Sequence, residues 1–266
     1  MTRAPARPLN LRFLGLGVLW AVNAVGLVIV AMVFLKGGIG ADWVIFGEAG
    51  ERVVSGGLYD VEPWGYNYIY SPLLAYAWII PIPLWAWLGL HFLPLLSLPR
   101  HLAALTLVSF PFWLDIYNGG VMVFLFVAAW HALHGSRVGT GAFFALCLLA
   151  PRPPFLPAVL WLLWRRPAWR LPFVGLLGAS AVAVVASGWG TEWVTALLSG
   201  PGYTGGDRDF GPTRVFGYAW LVVGVPLAAW LTYRGRVGWA GLAVSPYITP
   251  QYLMVLLLEL RRRTTR

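Results

Sequence analysis

The segment 13-FLGLGVLWAVNAVGLVIVAMVFL-35 carries no charged residue. As a helix rising about 1.5 Å per residue, it is long enough to cross the roughly 30 Å apolar layer of a bilayer. It outruns the apolar region of a usual secretory signal and has no clear small-x-small cleavage site before the following loop. It therefore reads as a permanent first span. The remainder of the chain is of the same kind: 59% of residues are hydrophobic and 11% charged, against about 25% charged in soluble domains. Further apolar stretches follow at about 71–98, 102–114, 119–133, 139–150, 154–164, 171–188, 215–233 and 237–260, with charges mainly between them. The expected fold is an all-α, polytopic helical membrane protein with eight to ten membrane segments. Residues 1–266 form a single transmembrane domain, with no soluble second domain or internal repeat.

The formal charge of +9 sits at the ends of the apolar segments. Arg3, Arg7 and Arg12 precede the first span; Arg165, Arg166 and Arg170, then Arg234 and Arg236, then Arg261, Arg262, Arg263 and Arg266 follow later ones. This placement follows the positive-inside rule and predicts cytoplasmic N- and C-termini in a multi-pass cell-membrane protein. It argues against a nucleic-acid partner, which would call for a basic face. The lone Cys147 lies in an apolar stretch, which rules out an intrachain disulfide or a cysteine metal cluster.

Two long loops remain, 36–70 and 189–214. The first holds Asp42, Glu48, Glu51, Asp60 and Glu62 against Lys36 and Arg52, and one crossing from a cytoplasmic N-terminus puts it outside. The second, with Glu192, Asp207 and Asp209, is expected on the same side. In the first loop Ile45, Phe46, Ala49 and Val53 fall on one helical face and Glu48, Glu51 and Arg52 on the opposite one. That pattern predicts a helix lying at the membrane surface. Ser55-Gly56-Gly57 would stop it, and Trp64, Tyr66, Tyr68 and Tyr70 lead back to the interface.

Two apolar stretches are interrupted where a helix should continue. Pro151-Arg152-Pro153-Pro154 separates 139–150 from 154–164, and 245-SPYITPQY-252 interrupts the last one. Broken backbone at membrane depth is tolerated where protein or a water-filled cavity satisfies it, so the two breaks predict a cavity. Arg152 then lies at membrane depth, where a guanidinium calls for a cavity or an anion, phosphate being the natural one; a side chain snorkelling from a loop is the alternative. Asp42 follows the Gly-rich exit of the first span and either caps the helix it opens or presents a carboxylate to the outer interface. Asp115, before Asn118-Gly119-Gly120, is expected to cap the next helix. Arg208 and Arg214 flank a Gly-rich loop and read as solvated charges. His91 and His101 stand singly and His131 and His134 are three apart, which supports no metal site. The stretch 202-GYTGG-206 matches no nucleotide fingerprint.

These residues occur in an order that resembles a known family. The segment 42-DWVIFGEAGERVVSGGLYD-60 is similar to the D-F-x-x-F/Y-x-A-x-x-x-x-x-G-x-x-x-Y-D region of GT-C-type glycosyltransferases of family 87, which use polyprenyl-phosphate sugars. Further on, 70-YSPLLAY-76 resembles that family's Y-P-P-L segment and 118-NGGVMVFL-125 its G-Q-x-N segment. Likewise 150-APRPP-154 resembles its Lys-Pro turn and 245-SPYITPQYLMVLL-257 its S-P-x-x-x-x-H-Y-L-x-L-L segment. Order and approximate spacing agree over most of the chain. The family's Gln and Asn fall on Gly120 and Met122, its His falls on Gln251, and its Lys falls on Arg152.

The resemblance implies an inverting transferase working at the outer face, with a polyprenyl-phosphate-linked sugar as donor, mannose being the family-based first guess. The acceptor would be a lipid or cell-envelope glycan, with both substrates held among membrane lipids. In that scheme Asp42 is the catalytic base and Arg152 meets the departing phosphate, with Tyr59, Tyr70, Asn118, Gln251 and Tyr252 as further substrate-binding candidates. Interfacial anchoring is the alternative for the tyrosines. With an arginine to meet the phosphate, no cofactor or metal is expected. A transporter or lipid flippase, or a non-catalytic truncated relative, are the competing readings; the transporter reading predicts carboxylates facing Arg152.

Overall fold

In a computed structural model, which describes residues 11–60, 68–199 and 211–260, the regular elements are all helices. The uncharged first stretch becomes α1 (Leu11–Lys36), which ends where Gly37 and Gly38 take positive φ. Three helices are long and apolar enough to cross a membrane: Gly17–Lys36, Pro167–Ala186 and Arg214–Tyr233. They are hardly covered by the rest of the chain, leaving Trp20, Val25 and Leu35, then Leu171, Val174 and Val182, then Val222 and Val223 exposed. Apolar surface on this scale suits lipid and is unfavourable in water, which makes these three helices candidate membrane spans.

The expected eight to ten crossings are not shown. Leu84–Ser97, Met122–Leu133, Arg137–Leu149 and Pro250–Leu260 are apolar but shorter than a bilayer requires. Proline and glycine account for the difference, because they divide apolar stretches that composition alone would join. Between α1 and the C-terminus lie α2 (Ala41–Ser55), α3 (Pro72–Ala77), α4 (Leu84–Leu90), α5 (Arg100–Leu107), α6 (Phe110–Asn118), α7 (Met122–Leu133) and α8 (Arg137–Leu149). They are followed by α9 (Leu156–Arg165), α10 (Arg170–Ala186), α11 (Gly190–Ser199), α12 (Thr213–Phe216), α13 (Leu221–Tyr233), α14 (Val237–Val244) and a 3-10 helix, Pro250–Leu260. Arg3, Arg7, Glu62, Trp64, Tyr66, Asp207, Arg208, Asp209 and the C-terminal arginine group lie outside the described residues.

The core forms around α7, buried on nearly all sides from Met122 to Leu133. Such a helix needs neighbours all round. α8 supplies one, starting at Ser136, whose hydroxyl accepts the Gly139 amide at 3.0 Å. α2 adds another wall through Ile45, Phe46, Ala49 and Val53, the face that its 3.6-residue periodicity predicts. Asn23 ties α1 to the α5–α6 junction by donating to the Val108 carbonyl at 2.9 Å and accepting from the Phe110 amide at 3.0 Å. An apolar side chain at position 23 would leave that amide and carbonyl without their partner.

At the C-terminal end, α14 lies directly on the turn after Arg152. A methyl group on Gly241 would run into the Pro154 backbone carbonyl, which has no freedom to rotate away. We therefore expect Gly241→Ala to cost about 1–3 kcal/mol through overpacking, read as a lower unfolding temperature in detergent. Gly141, with no atom near the position of an added methyl, is the control, and Gly141→Ala should be neutral or mildly stabilising.

Candidate active site

Four chain breaks meet in one region: the Gly37–Gly40 exit of α1, the Gly119–Gly120 turn between α6 and α7, residues 150–155 between α8 and α9, and residues 245–249 after α14. The first positions Asp42. The N-cap of α2 is Gly40, in the left-handed region with φ 88° and no side-chain cap, so the capping role open to Asp42 from sequence is not the one it takes. Asp42 sits one residue inside the helix, and its Oδ2 lies 3.7 Å from Nη2 of Arg152. Its side chain keeps 23% exposure.

Arg152 owes its direction to the prolines. The residue before a proline is driven to extended backbone, and Arg152, before Pro153, has φ −128° and ψ 116°. The side chain leaves the break between α8 and α9 and enters the protein, with 10% exposure. There Nη2 donates to the Tyr70 hydroxyl and Nη1 lies 3.5 Å from the Tyr252 hydroxyl. The guanidinium carbon also lies 4.7 Å from the Tyr70 ring centre and 6.0 Å from that of Tyr252. Aromatic faces stabilise a desolvated cation, but they do not use its N–H groups. Nε of Arg152 is buried and has no hydrogen-bond partner, as has Oγ1 of Thr249 in the neighbouring break. A guanidinium carries five donors, and here its carboxylate neighbour stands beyond hydrogen-bond length.

The wall opposite is the diglycine turn. Gly119 ends α6 at φ 69°. Gly120 has no room for a side chain, since a methyl there would collide with Oδ1 of Asp115 and stand 3.3 Å from Oδ2 of Asp42. The two carboxylates therefore face each other across a bare Cα. Asp115 is buried and accepts from the amides of Met122 at 3.3 Å and Val123 at 2.9 Å, the opening amides of α7. It is the helix cap that its position before the break predicts. The turn's carbonyls are held from α4: Trp87 Nε1 donates to the Gly119 oxygen at 2.8 Å, and His91 Nε2 lies 2.9 Å from the Gly120 oxygen.

Of the residues singled out from sequence, Asp42, Arg152, Tyr70 and Tyr252 come together. Tyr59 stands behind them, donating to the Tyr70 carbonyl at 3.1 Å. Burial, with the Glu192 charge adding to it, pushes its phenol well above the ordinary range, so it remains a donor. Asn118 is buried at the end of α6 beside the turn. Gln251 is half-buried next to Tyr252. Arg214 is exposed on α12. Not singled out were Tyr247, whose ring lies 5.5 Å from that of Tyr252, and His91 with Trp87. A histidine within an apolar run needs a polar partner, and that was the available signal for His91. Among the described residues, no group of three or more His, Cys, Asp or Glu is placed to hold a metal ion.

The arrangement offers a partly wet carboxylate beside a dry, donor-rich guanidinium, a combination suited to accepting a proton next to a phosphate-like anion. No family model matches the chain, and comparisons with curated proteins and with solved structures give no match.

Proposed function

We propose that the chain is a membrane glycosyltransferase of the GT-C type, similar to family 87, that moves a sugar from a polyprenyl-phosphate carrier to a lipid or cell-envelope hydroxyl. The observation that carries this reading is the Arg152 guanidinium: desolvated, short of acceptors at Nε, and 3.7 Å from the carboxylate of Asp42. A phosphate oxygen would satisfy the free donor. As it binds, it competes with Asp42 for the guanidinium and leaves that carboxylate available as a base.

In the transfer, the acceptor hydroxyl gives its proton to Asp42 while its oxygen attacks the anomeric carbon. The bond from that carbon to the carrier's phosphate oxygen breaks, its electron pair stays on the phosphate, and Arg152 stabilises the added charge. The sugar inverts in this single displacement. Tyr70 and Tyr252 hold the guanidinium in place. A cavity of about 530 Å³, lined largely by apolar side chains of α10 and α11, includes Ser71, the residue after Tyr70. It offers room for part of a lipid chain beside the site. Short helices that meet at breaks, instead of crossing singly, would leave such space within a multi-pass protein in the cell membrane.

The Asp42–Arg152 pair also fits a transporter in which the arginine exchanges its carboxylate for a passing anion. The deciding experiment supplies the purified protein, in liposomes with extracted lipids as acceptors, with several radiolabelled polyprenyl-phosphate sugars. Label appearing covalently in an acceptor lipid supports the transferase. Label that crosses the bilayer still on its carrier supports the transporter and overturns the transferase.

A further inference from the structure

The C-terminal ends of α9 and α13 meet where two of the apolar helices stop. The candidate span Pro167–Ala186 begins just after α9, and the candidate span Arg214–Tyr233 ends with α13. α9 packs against α13, and Trp164 of one stacks on Tyr233 of the other with ring centres 5.6 Å apart. The two helices therefore end at one level. Both rings stay exposed. Tryptophan and tyrosine held at the end of apolar helices suit the headgroup layer of a membrane, where one part of the ring is dry and the other wet.

This end is also basic. Arg166 donates to the Leu133 carbonyl at 3.4 Å, and Arg170 to that of Leu163 at 3.0 Å. Both thereby cap the C-terminal turn of a helix, which is reason enough for their presence. Arg236 donates to Glu259 at 3.2 Å, and the other Glu259 oxygen accepts from the Gly238 amide. Arg165 and Arg234 are held differently, by rings. The guanidinium carbon of Arg165 lies 5.1 Å from the ring centre of Trp164 and 5.8 Å from that of Trp161, and that of Arg234 lies 5.6 Å from Trp230. A ring takes up the face of a guanidinium and leaves the N–H edge to other partners. Both arginines are exposed, so those edges are open to what surrounds the protein.

We infer that the Trp164–Tyr233 pair, with Arg165 and Arg234 beside it, is a docking surface for an anionic membrane phospholipid. Charge and shape both point to that occupant. Two positive charges stand at the depth of the headgroups, and the planar edge of arginine matches two oxygens of a phosphate. Toward the middle of the helices the same faces are apolar: Leu160 lies one turn before Trp164, and Val223 and Leu227 lead to Trp230, all exposed. A ligand with a charged head and hydrocarbon chains satisfies both parts, whereas a free phosphate would leave the apolar faces uncovered. The lipid is a resident partner here, so the inference does not depend on sugar transfer.

Native mass spectrometry of the full chain in detergent, titrated with phosphatidylglycerol or with phosphatidylcholine of the same acyl chains, counts bound lipids and gives their affinities. The first phosphatidylglycerol is expected to bind more tightly than the first phosphatidylcholine by about 25-fold, about fivefold for each arginine. Equal affinities overturn the surface. Arg165→Gln and Arg234→Gln should each lower phosphatidylglycerol affinity about fivefold, and together remove the preference, with phosphatidylcholine affinity unchanged. A double variant that keeps the parental preference overturns the assignment of these two residues. Arg214→Gln removes the same charge at the opposite end of its candidate span and should change neither affinity. A loss there as large as in Arg165→Gln or Arg234→Gln would mean that net charge alone attracts the lipid, which overturns a local surface. Glycerol phosphate, which has the charged head without the chains, should not displace the bound lipid at equal concentration; displacement overturns a phospholipid as the occupant.

Discussion

Arg152→Met is expected to lower sugar transfer by about 100- to 1,000-fold and to lower the unfolding temperature as well. The two effects have one origin. The guanidinium is held at 10% exposure with Nε unpartnered, and its contact with Asp42 is too long for a hydrogen bond. It is nevertheless the cation beside two carboxylates, and removing one partner of such a pair leaves the other uncompensated, at a cost of about 3–5 kcal/mol for a fully buried pair and less here, where Asp42 keeps 23% exposure. Arg152→Lys keeps the charge without the planar fork that spans two oxygens, so an intermediate rate is expected. Thermal unfolding in detergent and the transfer assay, run on the same preparations, check both halves. Transfer within threefold of the parent in Arg152→Met would remove the phosphate role, and a parental unfolding temperature would mean that the neighbouring carboxylates do not depend on the arginine as their counter-charge.

Much of this architecture is legible in the sequence because it rests on short-range rules. The uncharged run 13–35 makes α1, the periodicity at Ile45, Phe46, Ala49 and Val53 gives the buried face of α2, and Pro151, Pro153 and Pro154 divide α8 from α9. Arg152 is conspicuous for the same reason, since a charge beside a proline break in an apolar stretch calls for a partner. The count of crossings is not legible, because whether two short helices stack end to end depends on contacts between distant segments. Nor does spacing report that Asp42 and Arg152, 110 residues apart, come within 3.7 Å. Gly120 illustrates the limit most clearly. In sequence it reads as one half of a diglycine helix break, whereas in the fold it is the position whose missing side chain lets Asp115 and Asp42 face each other. His91 was hidden for a related reason: its partners are backbone carbonyls, which carry no side-chain signature.

Asp42→Asn is expected to be as damaging to transfer as the loss of Arg152, and opposite to it in binding. Asparagine has the shape of aspartate, and the side chain keeps 23% exposure, so the substitution can occupy the same place. Folding should therefore be retained. The base, however, is gone: an amide does not take up the acceptor's proton, and the rate should fall by about 100- to 10,000-fold. The carboxylate is also the anionic neighbour that an incoming phosphate must displace from the guanidinium. Its removal should leave polyprenyl phosphate binding as tight as in the parent or tighter, whereas Arg152→Met should weaken it strongly. Titrating both variants with polyprenyl phosphate in nanodiscs, alongside transfer rates, separates the two roles. Equal weakening of binding in both variants would mean that the pair acts as a structural ion pair. Parental transfer by well-folded Asp42→Asn would exclude Asp42 as the base, leaving the proton to a group that the Asp42–Arg152 pair does not contain.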